Sequence, residues 1–428
     1  MFTQHSHGMF FFTFHFPNSK TMKSKNNRLF VLFLSLFVIV NSISCSAQSG
    51  KKGGKKNKVQ NQNAAEQKTQ DSQSTDNASD NLRALAAPVS GPFKGIYVSS
   101  EWVKPVDDYV LKSPSVDGVF LRLRWDDLHK SADKFDWTFL DSELKRISDA
   151  GKKITIGVAA GSHTPEWVYA SGVPALNFEE FRKQGEGKKF SVKVPVPYNQ
   201  KFLDIWTGFI KSFADHLKSK PEIYNAITLV KLTGINETTI EIRLPSQKDV
   251  SNEKGKSTDA PSIWRNAGYR PKKILDAWDR ITDAYKINFP DKFVSIAIIP
   301  KKAFPSLDDN GNDVPKNLAR DFTEDLIEKA HEKFKDKLVV QWNSLQIKAG
   351  IPKLMAWSTK FHIPFGYQLE EADMGKPACL QNPPCDQQHL KSIFDKGIRA
   401  NATFVEIFPK EVLAYPEALA YGHGLLMK

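Results

Sequence analysis

From Phe93 onward, short runs of β-branched and aromatic residues alternate with stretches whose apolar positions recur every three or four residues. The runs predict strands over 95–99, 118–124, 153–159, 226–233, 293–300, 338–343, 363–369 and 403–408. The 3.6-residue stretches predict helices over 137–150, 202–218, 272–288, 318–334, 351–360 and 387–397, with 416–426 closing the chain. Strands that alternate with helices form parallel sheets, and eight such units predict an α/β fold of the (β/α)8 barrel type. A doubly wound sheet would carry a Gly-rich phosphate loop after its first strand, and none follows residue 99. In a barrel of this kind chemistry collects at the C-terminal ends of the strands.

Residues before Phe93 have a different texture. Lys23, Lys25 and Arg28 precede an apolar run from Leu29 to Val40, and small residues follow through Ala47. That order is the layout of an export signal, and the run is shorter than the ~20 residues of a spanning helix. Residues 1–47 are therefore read as a signal region, with Met22 as the expected start of translation. Cleavage after Ala47 would release the chain, whereas cleavage before Cys45 would leave a lipid-modified cysteine as a membrane tether. Residues 48–92 are rich in Lys, Gln, Asn, Ser and Gly and hold no aromatic residue, so they read as a disordered linker. The single barrel domain then spans 93–428.

The charge balance changes with this division. The chain carries +12, but eleven of its basic and only four of its acidic residues fall before Phe93. The basic excess is thus partly a property of the linker and does not point to nucleic acid. Of three cysteines, Cys379 and Cys385 close a short loop and are expected to pair in an oxidising compartment. The histidines show no metal spacing, and neither a metal nor another cofactor is expected.

Alternation places candidate chemistry inside the barrel. In Phe120-Leu-Arg-Leu-Arg-Trp125 the apolar residues suit the helix-facing side, so Arg122 and Arg124 point inward and demand anionic partners. In Phe365-Gly-Tyr-Gln-Leu-Glu370 the same parity turns Gln368 and Glu370 inward. Glu406 on the last strand is a second candidate acid. After the fourth strand Asn236-Glu237 and Glu241 compete, the latter in an alternating run that marks a short extra strand over the mouth. Gln341 and Asn343 share a face flanking Trp342. Trp102, Trp125, Trp167, Trp264 and Trp342 cluster near these ends as candidate sugar-facing aromatics, and His163 lies at the mouth of the third strand. Trp137, Trp206 and Trp278 fall in helix patterns and read as core.

Four short motifs, Asp136-Trp137, Leu140-Asp141, Gly151-Lys152-Lys153 and Thr164-Pro165-Glu166-Trp167-Val168, resemble the start of clan A glycoside hydrolases, most of all the β-galactosidase-like family 42 barrels. The resemblance covers the barrel in outline and is sharp over 116–168. It implies a general acid/base on Glu237 beside Asn236, a nucleophile on Glu370, and Arg124 or Arg122 orienting that nucleophile. Two departures, no aromatic before Asn236 and no Trp ending the last strand, keep Glu241 and Glu406 in play. The expected activity is retaining hydrolysis of an oligo- or polysaccharide by two carboxyls about 5–5.5 Å apart. The competing expectation is a catalytically silent barrel that binds glycan at the cell surface.

Overall fold

The computed structural model describes residues 94–180, 190–246, 259–298, 303–315, 323–347, 360, 362–369 and 386–428. All belong to one compact unit, Ser74–Lys428. Twelve strands are present among the described residues: β1 (Gly95–Ser99), β2 (Gly118–Arg124), β3 (His129–Ser131), β4 (Lys134–Phe135), β5 (Lys153–Ala159), β6 (Ala175–Glu180), β7 (Phe190–Pro195), β8 (Ile227–Lys231), β9 (Phe293–Ile298), β10 (Leu338–Leu345), β11 (Phe365–Leu369) and β12 (Ala402–Ile407). Eight of them, β1, β2, β5, β8, β9, β10, β11 and β12, close in that order into a parallel barrel. The fold is a (β/α)8 barrel, and each barrel strand lies where the alternation pattern puts it.

Helices coat the outside because each carries one apolar face. Gln200–Lys218 buries Phe202, Trp206, Phe209 and Phe213, and its start is capped by Asn199, whose side chain accepts from the Phe202 amide at 3.1 Å. Trp206 meets Trp125 edge to face at 4.8 Å. Pro271–Asn288 buries Trp278, whose indole N–H donates to the Leu326 carbonyl at 2.9 Å on the neighbouring helix. Most of the helix read over 351–360 lies outside the described residues.

Two hairpins are additions to the expected barrel. β3 and β4 pair antiparallel, as do β6 and β7. The second had a legible signal, since Leu176 and Phe178 alternate with polar residues before a Gly- and Lys-rich stretch, and Val192 and Val194 alternate after it. Its position between a barrel strand and the next helix hid it among the loops.

Inside, the lower barrel is apolar. Tyr97, Leu229, Val339 and Phe404 form a sealed cluster with Phe293 packed against it. β11 contributes no side chain at Gly366, where a Cβ would lie 2.0 Å from the Phe404 ring. Gly366→Ala is expected to destabilise the barrel by about 1–3 kcal/mol through overpacking. Phe404→Leu in the same chain should recover part of that loss, measured as urea-unfolding midpoints of the single and double variants.

Candidate functional site at the barrel mouth

Above the apolar cluster the barrel interior turns polar. Lys231, two residues beyond Leu229 on the same inward face of β8, is fully buried and ion-paired to Glu406 of β12 at 2.5 Å. Its ammonium also donates to Gln341 Oε1 at 2.6 Å and sits 3.9 Å from the Phe120 ring centroid. Burial pulls the lysine below its usual range, against the attraction of Glu406. The second oxygen of Glu406 accepts from Gln341 Nε2 at 2.6 Å and Gln368 Nε2 at 3.0 Å, and Gln368 also reaches Ser99 Oγ at 3.0 Å. Four strands are therefore tied across the lumen by one set of charge-assisted bonds.

That arrangement decides between the candidate acids. Glu406, expected as an alternative nucleophile, is sealed beneath the mouth with both oxygens engaged, so it is a structural partner of Lys231. Glu237 is also fully buried, and Arg243 Nη2 lies 2.6 Å from its carboxylate. Its backbone carbonyl takes the Ser162 amide at 2.8 Å. This approach requires Gly161, whose φ is +58° and where a Cβ would sit 2.2 Å from the Asn236 carbonyl. Asn236, expected to meet substrate, spends its side chain at home: Oδ1 accepts from the Gly234 amide at 2.6 Å, and Nδ2 donates to the carbonyls of Ile240 and Glu241 at 2.8 and 3.0 Å. The extra strand read over 239–244 is reduced to isolated bridges, Asn236 with Ile242 and Ile242 with Ile298.

Glu241 is different. It is half-buried, accepts from Asn343 Nδ2 at 2.9 Å, and takes a short bond from the Thr239 hydroxyl. Asn343 accepts in turn from Gln341 Nε2 at 2.9 Å. The path from Lys231 through Gln341 and Asn343 thus ends on the Glu241 carboxylate. Among the described residues, Glu241 is the candidate acid that remains partly open to solvent. Glu370, Cys379, Cys385 and Cys45 lie outside the described residues.

Across the mouth, β2 supplies Arg122 and Arg124. Both are half-buried, with their guanidinium carbons 5.1 and 5.7 Å from the Trp102 ring centroid. Arg122 is further held by Ser100, whose carbonyl takes its Nε–H and whose hydroxyl accepts the Arg122 backbone N–H at 3.0 Å. His163 lies 5.5 Å from the Trp102 ring, and its Nε2 donates to the Thr238 carbonyl at 3.2 Å. Burial and then the charge of Arg124 hold this imidazole below its usual value.

Several aromatic candidates belong to the core instead. Trp125 is fully buried against Phe202, Trp206 and Phe209. It directly follows Arg124, so strand parity turns it toward the helices. Trp342 is 7 % exposed and meets Tyr367 edge to face at 6.1 Å on the helix side of the sheet. Trp264 is buried beside Phe178. Trp167 stays half-buried, with its indole N–H on the His129 carbonyl at 3.0 Å. Trp102 alone of this set reaches the arginines. Lys231, Thr239 and Arg243 went unselected in the sequence. Lys231 had a signal, a charged residue on the same strand face as Leu229.

No group of three or more His, Cys, Asp or Glu side chains among the described residues is placed to hold a metal ion. No protein-family model matches the chain, and no curated protein matches it. Among solved structures, the catalytic domain of β-amylase from Paenibacillus polymyxa is similar over 77 % of this chain and 95 % of its own, at 12 % identity and a TM-score of 0.49. Xylanase B from Clostridium stercorarium F9 is similar over 74 % and 86 %, at 14 % and 0.43. β-Galactosidase from the psychrophilic Marinomonas ef1 covers 78 % and 59 %, at 10 % and 0.44. Identities and scores this low assign neither family nor chemistry, and the resemblance to family 42 has no matching family model behind it.

Two outcomes are expected of this site. Lys231→Met leaves Glu406 buried without its cation and should cost about 3–5 kcal/mol, most of it recovered in Lys231→Met/Glu406→Leu. Urea unfolding of both variants measures it. His129 and His163 are both held low by burial. Their contribution is full above the unfolded value of about 6.5 and is lost as pH falls through the folded values. Unfolding midpoints should therefore begin to drop as pH falls through the unfolded value of about 6.5 and go on dropping below it, and the drop should be smaller in His163→Gln.

Proposed function

We propose that this barrel is a glycoside hydrolase in which Glu241 acts as the general acid/base and Glu370 as the nucleophile. The observation that carries the reading is the Glu241 carboxylate. It is partly open at the C-terminal mouth and aimed by Asn343 and Thr239, in a mouth that two arginines and Trp102 also line. A general acid must keep its proton until the leaving oxygen arrives, and it must be held still while giving it up. The Lys231–Glu406–Gln341–Asn343 set supplies the second requirement. Glu370 is assigned from strand parity: Gln368 is lumenal on β11, and Glu370 is the next residue of the same parity in the sequence. The proposed outcome is retention, which needs the two carboxyls about 5–5.5 Å apart. The proposed substrate is an oligo- or polysaccharide, met outside the cytoplasm after export, with Cys45 as an optional lipid tether.

A second reading has its own support. Glu237 and Glu406, two of the four candidate acids, are committed to buried ion pairs, as expected if the barrel holds glycan without cleaving it.

Hydrolysis of a panel of aryl glycosides and polysaccharides separates the two. Glu241→Gln should lower kcat by about 10²–10⁴-fold with an unchanged unfolding midpoint. Glu370→Gln should abolish turnover and spare binding. Retention of polysaccharide with no turnover by the unmodified protein would establish the binding reading instead.

A further inference from the structure

Arg124 on β2 has a charge balance that hydrolysis of a neutral sugar does not explain. Arg122 and Arg124 stand two residues apart on one face of the strand, and both guanidinium groups lie within 6 Å of the same indole. Two like charges this close in a half-buried site repel, and burying guanidinium is costly unless an anion accompanies it. For Arg124 no such anion lies within ion-pair distance among the described residues, and its buried Nε has no hydrogen-bond partner. The neighbouring acids do not fill the role. Asp127 has Lys130 as its ion-pair partner, at 3.9 Å, and its buried Oδ2 is itself without a hydrogen bond. Asp126 is held above its usual range chiefly by burial and by Asp127, and the charge of Arg124 offsets this only in part. The His163 imidazole, 5.5 Å from the Trp102 ring, is held below its usual range first by burial and then by the charge of Arg124. Asp126 and Asp127 thus act on this corner only at longer range, and among the described residues neither forms an ion pair with Arg124.

We propose that Arg124, with Arg122 beside it against Trp102, forms a subsite for the carboxylate or sulfate group of an acidic sugar. Trp102 fixes both cations by cation–π contact and Ser100 fixes Arg122, so the forks are set before any ligand arrives. Planar guanidinium groups match carboxylate and sulfate oxygens with paired N–H donors. The inference rests on the reading of the mouth as a glycan site and narrows it to anionic glycans.

Binding, rather than hydrolysis, tests it, so that failure here is separable from failure of the Glu241 assignment. The full chain is run in affinity electrophoresis through gels containing polygalacturonate, alginate, chondroitin sulfate, neutral xylan or neutral galactan. Retardation is expected in at least one acidic polymer and to be weaker in both neutral ones. The uronate and sulfate arms identify which anion is taken. Arg124→Gln should weaken the apparent affinity by about 10- to 100-fold. Arg124→Lys should fall between it and the unmodified protein, since it keeps the charge and loses the fork. A control variant with Lys51, Lys52, Lys55 and Lys56 changed to Gln tests for unspecific attraction to the basic N-terminal stretch. Loss of retardation in this control with none in Arg124→Gln overturns the proposal. Equal retardation by neutral and acidic polymers, or none by any, does so too.

Discussion

The ion pair between Lys231 and Glu406 is the constraint on which the upper barrel depends. A lysine and a glutamate sealed from water must satisfy one another, and their remaining hydrogen-bonding capacity must be met by fixed dipoles. Gln341 and Gln368 meet it, and they bring β10 and β11 into register with β8 and β12 at the same level. The arrangement divides the barrel into an apolar floor and a polar mouth. It also explains how a loop carboxylate is held: Asn343 is oriented by Gln341, and Glu241 by Asn343.

The same electrostatic demand sorts the acidic residues by depth. At the level of Glu406 water is excluded, and a carboxylate persists there only with a cation against it. Glu237 is buried in the same way at the loop beyond β8 and has Arg243. Glu241 stands higher, where solvent shares the task and neutral donors suffice. Arg124 reverses the case, a half-buried cation at the mouth without a protein anion within ion-pair distance among the described residues. Among the described residues the sealed charges Lys231, Glu406 and Glu237 are matched within the protein, whereas Arg124 is half-buried at the mouth.

Hydrophobic periodicity determined the architecture on its own. The inward and outward parity of β2, β10, β11 and β12 was also legible, because a pleated strand sends alternate side chains to opposite faces whatever surrounds it. Arg122, Arg124, Gln341, Asn343, Gln368 and Glu406 all point inward for that local reason. The aromatic residues near the strand ends were less legible. Trp125 and Trp342 sit one residue from lumenal side chains and so belong to the opposite face, yet their nearness in sequence to the mouth suggested substrate contact. The hairpin of β6 and β7 carried an alternating strand signal, but it lies within a connection between barrel units.

What only the tertiary structure decided was depth and partnership. Strand parity states which face a glutamate occupies but not how far below the rim it lies, and a single residue along a strand moves a side chain by about 3.3 Å. That distance separates a sealed structural carboxylate from an exposed one. Nor could parity show that Lys231 would cross the lumen to Glu406, 175 positions later in the chain. The choice between Glu237 and Glu241 turned on a loop whose course is set by Gly161, Asn236 and the end of β9. Pairings between distant segments depend on the closed barrel itself, because closure is what brings β8 opposite β12.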